Sequence, residues 1–256
     1  MSSVNLIGIT QPDYEYTGCI DAQELVAWCA RISNPSNQNN TQTAPKLLRY
    51  LIKNHHWSPL ELVHISLEVK TTRDIARQIL RHRSFSFSEY SQRYADPTKD
   101  LKFVTREARL QDPKNRQNSV DVDDDTTYDK PYSSTSYDTL GNVVDHSVQY
   151  QKANLKDDWE AYQKSAQAAS LNAYKWAIDN GIAKEQARAV LPEGLTESVL
   201  IMSGSLRSFW HYILVRHHPA TQKEHRIVAE QITEVILERF PDMREMLEKQ
   251  IAENYK

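Results

Sequence analysis

Apolar and polar residues alternate in some stretches of this chain and recur every three or four positions in others. Val63, Ile65, Leu67 and Val69 alternate with polar neighbours, which predicts a half-buried strand over 62–70. The run Val-Asn-Leu-Ile-Gly-Ile over 4–9 predicts a second short strand. Helical spacing predicts a helix over 22–32 behind the cap Asp21, and another over 44–53 with Leu47, Leu48 and Leu51 on one face. Pro45 suits the first turn of the latter, where a missing N–H costs nothing. Thr71 or Thr72 can cap the next helix, whose buried stripe is Ile75, Ile79 and Ala76 and which ends near Arg81. Residues 148–178 are helical in pattern, with Asn180-Gly181 as the stop. A further helix over 183–190 is closed by Leu191-Pro192-Glu193-Gly194, and 198–202 reads as a strand or the start of a helix. Helices then follow over 206–215, 220–240 and 243–254. A polar loop is expected at 34–43 and a long irregular insertion at about 95–150. The expected fold class is α+β: a mostly helical chain with a small, largely antiparallel sheet, forming a single domain over 1–256.

Composition mainly excludes. With 31 basic and 34 acidic residues in 256, the chain is near neutral, which argues against nucleic acid as a partner. Apolar runs fall far short of the roughly 20 residues a membrane span needs. The first residues show no basic region followed by an apolar block, so no secretory signal is expected. Cys19 and Cys29 are too few for a disulfide framework and read as reduced thiols in a cytoplasmic protein. The acidic run Asp121 to Asp125 lacks the spacing of an EF-hand loop and reads as solvated. Gly is scarce, at 6 residues, and no Gly-x-Gly-x-x-Gly fingerprint occurs, so a Rossmann dinucleotide site is not expected.

The densest chemistry lies over 81–94. Four cationic or potentially cationic side chains (Arg81, His82, Arg83 and Arg93), four serines, Glu89 and four aromatics fall within fourteen residues. Arginine forks grip phosphate, hydroxyls complete such a site, and aromatic faces stack on flat rings. The ligand class implied is a phosphorylated compound with a planar base. Gln78 and Arg81 project from nearly the same side of their helix, so an amide and a guanidinium could together read a pyrimidine edge and a phosphate. Arg207 and His211 share a face, whereas Arg216, nine residues after Arg207, lies about half a turn away at ~100° per residue. On a regular helix they face different sites.

Arg81-His82-Arg83, seven residues, then Ser91 resembles the signature of the flavin-dependent thymidylate synthases. His56, Ser58, Pro59 and Glu61 are similar to a His-x-(Ser/Thr)-Pro-x-Glu stretch of that family, and Arg188 opens an Arg-x-x-Leu-Pro segment like the family's. The likeness is good over roughly 20–95 and 183–230. It departs at Leu62, Ser88, Gln92 and Ser205, where other members often have His, Asn, Gly and Asn. The resemblance implies that Ser58, Arg81, His82, Arg83, Glu89, Ser205, Arg207 and His211 line an FAD site. It implies that Gln78, Arg81, Glu89, Ser91, Gln92, Arg93, Arg188 and Arg216 hold dUMP. It further implies NADPH as reductant, 5,10-methylenetetrahydrofolate as carbon donor, and a homo-oligomer, a tetramer, with sites shared between subunits.

Methylation at C5 of uracil needs a nucleophilic ring carbon, and one route adds a cysteine thiolate to its neighbour. Cys19 and Cys29 lie outside every constellation above. The other route is electrostatic, and the resemblance assigns it to Arg216 as the catalytic cation. Two other readings compete. One is a metal-dependent nucleotide hydrolase using His55, His56, His217, His218 and His225, although no metal-ligand spacing links them and no metal is expected. The other is a single-stranded nucleic-acid binder using the Arg/Phe/Tyr segment as a stacking platform.

Overall fold

A computed structural model describes residues 2–253; the expected end of the last helix at Asn254 lies outside them. The chain opens with β1 (Ser3–Ile9) and a single turn α1 (Tyr14–Thr17). The helix α2 (Ala22–Ala30) is capped as expected, Asp21 accepting from the Glu24 amide at 2.8 Å. Next come α3 (Ala44–Lys53), with Pro45 in its first turn, and β2 (His64–Thr72). Val63, Ile65, Leu67 and Val69 are buried and their neighbours more open, which is the period-two pattern of a sheet with one covered face. Thr72 stands at the head of α4 (Arg73–Ile79), and Ile75, Ala76 and Ile79 are fully buried.

The motif itself becomes a strand. After a turn at Arg81–Ser84, β3 (Phe85–Glu89) runs antiparallel to β8 (Glu197–Ser205). The stretch expected as strand or helix start is thus a nine-residue strand. The sheet order is β1-β2-β8-β3, antiparallel throughout, with β3 at an edge. Ser205 caps α8 (Leu206–Arg216), accepting from the Ser208 amide at 3.2 Å. With α9 (Lys223–Arg239) and α10 (Arg244–Glu253), it covers one face of the sheet. Leu67, Val69, Leu200 and Met202 meet Phe209, Ile213, Ile232 and Ile236 in one core.

Two expectations for the middle of the chain need correction. The insertion at 95–150 is not irregular throughout. Beyond the short α5 (Pro97–Asp100) it carries a small hairpin, β4 (Arg109–Gln111) with β5 (Ser119–Asp121), and a long one. The long one pairs β6 (Thr127–Tyr137) with β7 (Val143–Asn154) about an Asp138–Asn142 turn, where Gly141 adopts φ +83°. Thr, Tyr and Val favour extended backbone, but neither face of this ribbon enters the core, so no apolar alternation announces it. The helix expected from 148 accordingly begins later, as α6 (Leu155–Asp179), behind the Asn154 cap. The expected stop holds, with Gly181 at φ +79°. Residues 183–190 form the short α7 (Lys184–Ala187) and a tighter turn, and the helix expected over 220–240 begins at Lys223, because the chain first closes a turn in which the Thr221 amide donates to the His218 carbonyl at 2.8 Å.

Candidate functional site

Helix α8 presents two faces to two clusters. Arg207 and His211 look toward the Ser58–Leu62 turn. Arg207 Nη1 lies 2.7 Å from Glu61 Oε1, and Ser205 Oγ donates to the other Glu61 oxygen. The His211 ring sits 5.0 Å from that of Trp57. Burial raises the Glu61 carboxyl, but the hydrogen bonds from Ser205 and Arg207, with the Arg207 charge, outweigh it and hold it below the usual carboxylate range. Burial, and then the Arg207 charge, lower His211. Arg207 Nε is buried with no hydrogen-bond partner. Ser58 opens the turn and is exposed. Sequence reasoning gave neither Glu61 nor Trp57 a role. Glu61 was visible in the His-x-Ser-Pro-x-Glu stretch; Trp57 carried no signal beyond lying inside it.

The second face, Ser208, Tyr212 and Arg216, packs on the motif turn. Ser208 Oγ donates to the Ser84 carbonyl at 3.2 Å, and the Tyr212 and His82 rings lie 4.8 Å apart. Arg216 Nε donates to His82 Nε2 at 2.8 Å. Burial, then the Arg216 charge, push His82 down to about 4, so its ring is neutral and can accept that bond. Arg216 is held by a neutral ring, and no carboxylate of a described residue is paired with it. Gln78 lies on the same side, 3.1 Å from His225 Nδ1, with Tyr212 OH 2.9 Å from His225 Nε2. Arg81 is exposed near Arg216, whose positive charge it opposes, and Arg83 is exposed.

The remaining predicted residues lie elsewhere on the chain. Glu89, at the end of β3, is bound by Arg77 at 2.9 Å, Arg73 at 3.6 Å and Ser198 Oγ at 2.8 Å. It joins neither of the clusters on α8. Arg93 reaches Glu185 at 3.4 Å, and Arg188 Nε donates to the Glu185 carbonyl at 3.3 Å, so these two arginines are brought together. Ser91 Oγ accepts from the Arg93 amide at 3.4 Å. Gln92 beside them is buried, with its Nε2 lacking a partner. The described cavities do not join these groups: one of about 320 Å³ is walled by Thr71, Thr72, Arg106, Glu197 and Glu224 instead. Among the described residues no group of three or more His, Cys, Asp or Glu is placed to hold a metal ion, and no helix is long and apolar enough to cross a membrane.

The arrangement can grip anionic and planar groups on two faces of one helix, and it offers donors without internal partners. Comparison with known proteins shows the family and the fold. Residues 15–242 match the family described as thymidylate synthase complementing protein. The chain is 39% identical over 248 residues to a "Probable flavin-dependent thymidylate synthase" of Paramecium bursaria Chlorella virus 1, covering 96% of this chain and 99% of the relative. It is also 39% identical over 246 residues to the flavin-dependent thymidylate synthase of Synechocystis sp., again covering 96% and 99%. The fold is similar to a crystal structure of the UMP/dUMP methylase PolB from Streptomyces cacaoi bound with 5-Br dUMP, with TM-score 0.69, 23% identity and coverage of 96% of this chain and 93% of that one.

Proposed function

This chain belongs to the flavin-dependent thymidylate synthase family, and we propose on that premise that it converts dUMP to dTMP using FAD, NADPH and 5,10-methylenetetrahydrofolate. The observation that carries the reading to residues is a pair of orphaned donors. Arg207 Nε and Gln92 Nε2 are buried without partners, and a buried donor left unpaired is costly unless a ligand satisfies it. Arg207 falls among the residues expected to hold FAD and Gln92 among those expected to hold dUMP.

The donor set fits a flavin nucleotide bound without a glycine-rich turn. Ser58, Ser205, Arg207 and His211, with Arg81, His82, Arg83 and Glu89, would hold FAD, the arginines meeting its phosphates. Reduced FAD, when bound, supplies the hydride that completes the new methyl group, while the folate supplies the carbon. The protein orients and places charge. Gln78, Arg81, Glu89, Ser91, Gln92, Arg93, Arg188 and Arg216 would hold dUMP. Arg216 stabilises negative charge on the pyrimidine, and the neutral His82 holds its guanidinium without quenching it. Glu61 steadies Arg207 and Ser205.

The dUMP residues fall into separate groups on one chain, and α6 exposes Tyr162 and Trp176 at 61% and 63%. Both facts favour a homo-oligomer with sites completed by a neighbouring copy, and the family resemblance makes it a tetramer. The two unpaired thiols, both at least half-buried, suit a reducing cytoplasmic setting. The test is anaerobic turnover with dUMP, methylenetetrahydrofolate, NADPH and added FAD, reading out dTMP. FAD-dependent product is expected. A folded protein that binds FAD and yields no dTMP would overturn the reading. The double variant Cys19→Ser/Cys29→Ser should keep activity; its loss with an intact fold would restore a thiolate route.

A further inference from the structure

A line of hydrogen bonds runs from Gln78 in two directions, and each end fixes the sense of its links. Glu224 terminates one end. Burial raises its carboxyl, but the Arg106 charge and hydrogen bonds prevail and lower it, so it is ionised and can only accept. Arg106 Nη1 lies 3.0 Å from Glu224 Oε2, and Gln222 Nε2 donates to the same oxygen at 2.9 Å. That leaves Gln222 Oε1 to accept from Gln78 Nε2, at 2.7 Å. Gln78 Oε1 must then accept from His225 Nδ1, 3.1 Å away. His225 Nε2 in turn accepts from the Tyr212 hydroxyl at 2.9 Å. His225 is completely buried, and burial first, then the Arg216 charge, holds it down at about 3, so its ring stays neutral and keeps one tautomer.

The consequence falls on Gln78. A side-chain amide free to turn over can match either pyrimidine. Uracil offers a donor at N3 beside carbonyl acceptors, whereas cytosine offers an acceptor at N3 beside an amino donor. A Gln78 amide whose nitrogen is tied to Gln222 and whose oxygen is tied to His225 keeps one order of donor and acceptor. We propose that Gln222 and Glu224 are positioning residues that fix the polarity of the Gln78 amide and so make this site select uracil over cytosine nucleotides. The proposal rests on the reading of Gln78 as a dUMP contact.

Neither residue needs to touch the nucleotide, so the effect must appear as discrimination. The test measures binding of dUMP and dCMP to the FAD-loaded full chain by calorimetric competition. Gln222 is exposed, so Gln222→Leu leaves the core intact. Without its acceptor, Gln78 can invert together with the His225 tautomer. The preference for dUMP over dCMP should fall at least about tenfold, the scale of one well-placed hydrogen bond. The exchanged pair Gln222→Glu/Glu224→Gln places an accepting carboxylate between the two amides and should restore preference to within about threefold of wild type, since both amide nitrogens can again donate inward. An unchanged preference in Gln222→Leu would overturn the relay alone. So would failure of the exchanged pair to restore it at a wild-type melting temperature. A wild-type protein that binds FAD but not dUMP would overturn the reading of Gln78 and the relay with it.

Discussion

Arg216 and His82 carry the residue-scale argument. A guanidinium resting on a neutral imidazole keeps its charge for whatever anion approaches, whereas one resting on a carboxylate would not. Arg216→Ala should therefore abolish dTMP formation, by roughly a thousandfold or more in kcat on the scale of lost oxyanion donors, while FAD stays bound. Retained turnover would remove Arg216 from the chemistry. The opposed faces of Arg207 and Arg216 were legible in the sequence, because a regular helix fixes angle from spacing alone. The His82 bond to Arg216 was not, because it joins residues 134 positions apart through the packing of α8 on the motif turn. The buried histidines also set a pH dependence. His225 is held at about 3 and His82 at about 4, below the ordinary 6.5, so the unfolded chain binds more protons in that interval. Their contribution is whole above about 6.5 and is lost as pH falls, down to about 4 for His82 and about 3 for His225. His225→Gln should flatten the fall in stability between pH 7 and 5 by up to about 1.4 kcal/mol per pH unit. Denaturant titrations at pH 7, 6 and 5 check this; equal slopes in both proteins would refute it.

Strand β3 and its partner decide the element scale. Gly204 faces Phe85 across the ladder, and a Cβ there would lie 2.5 Å from Phe85 Cδ1. Phe85 is packed against Phe209, 4.8 Å between ring centres, and cannot swing away freely. Gly204→Ala should cost about 1–3 kcal/mol and displace the motif strand, read as a lower melting temperature with weaker FAD binding. The β2 strand and the helices α2, α3 and α8 were readable because burial on one face imposes a period on their residues. The β6–β7 ribbon and the true start of α6 were not, since a ribbon exposed on both faces writes no such period. Glu89 marks the same limit within the site. Its place in the motif was plain, but its partners Arg73 and Arg77 depend on how α4 crosses the sheet.

At the scale of the whole molecule, the chain gathers its candidate residues into groups that do not meet. One group contains Arg216 and Gln78; another contains Arg93 and Arg188. If a neighbouring copy brings one group to the other, two different inactive proteins can repair each other. Arg216→Ala and Arg93→Ala, each inactive alone, should regain measurable dTMP synthesis when co-expressed. Continued inactivity in a proven mixed oligomer would mean that each site is built from a single chain. The motifs named candidate groups, but the division of labour between copies has no signature in the order of residues along one chain.

The donors on Arg207 and Gln92 have one more consequence, for the life of the protein in a cell. A fold with buried groups left unpaired is stable only in part until its small molecules arrive, and each such group weighs about 1–3 kcal/mol. Ligands that bind only the folded chain shift it away from opening. Newly made copies short of flavin would open more often and be removed first by proteases. The amount of enzyme would then follow vitamin supply, without any dedicated regulator.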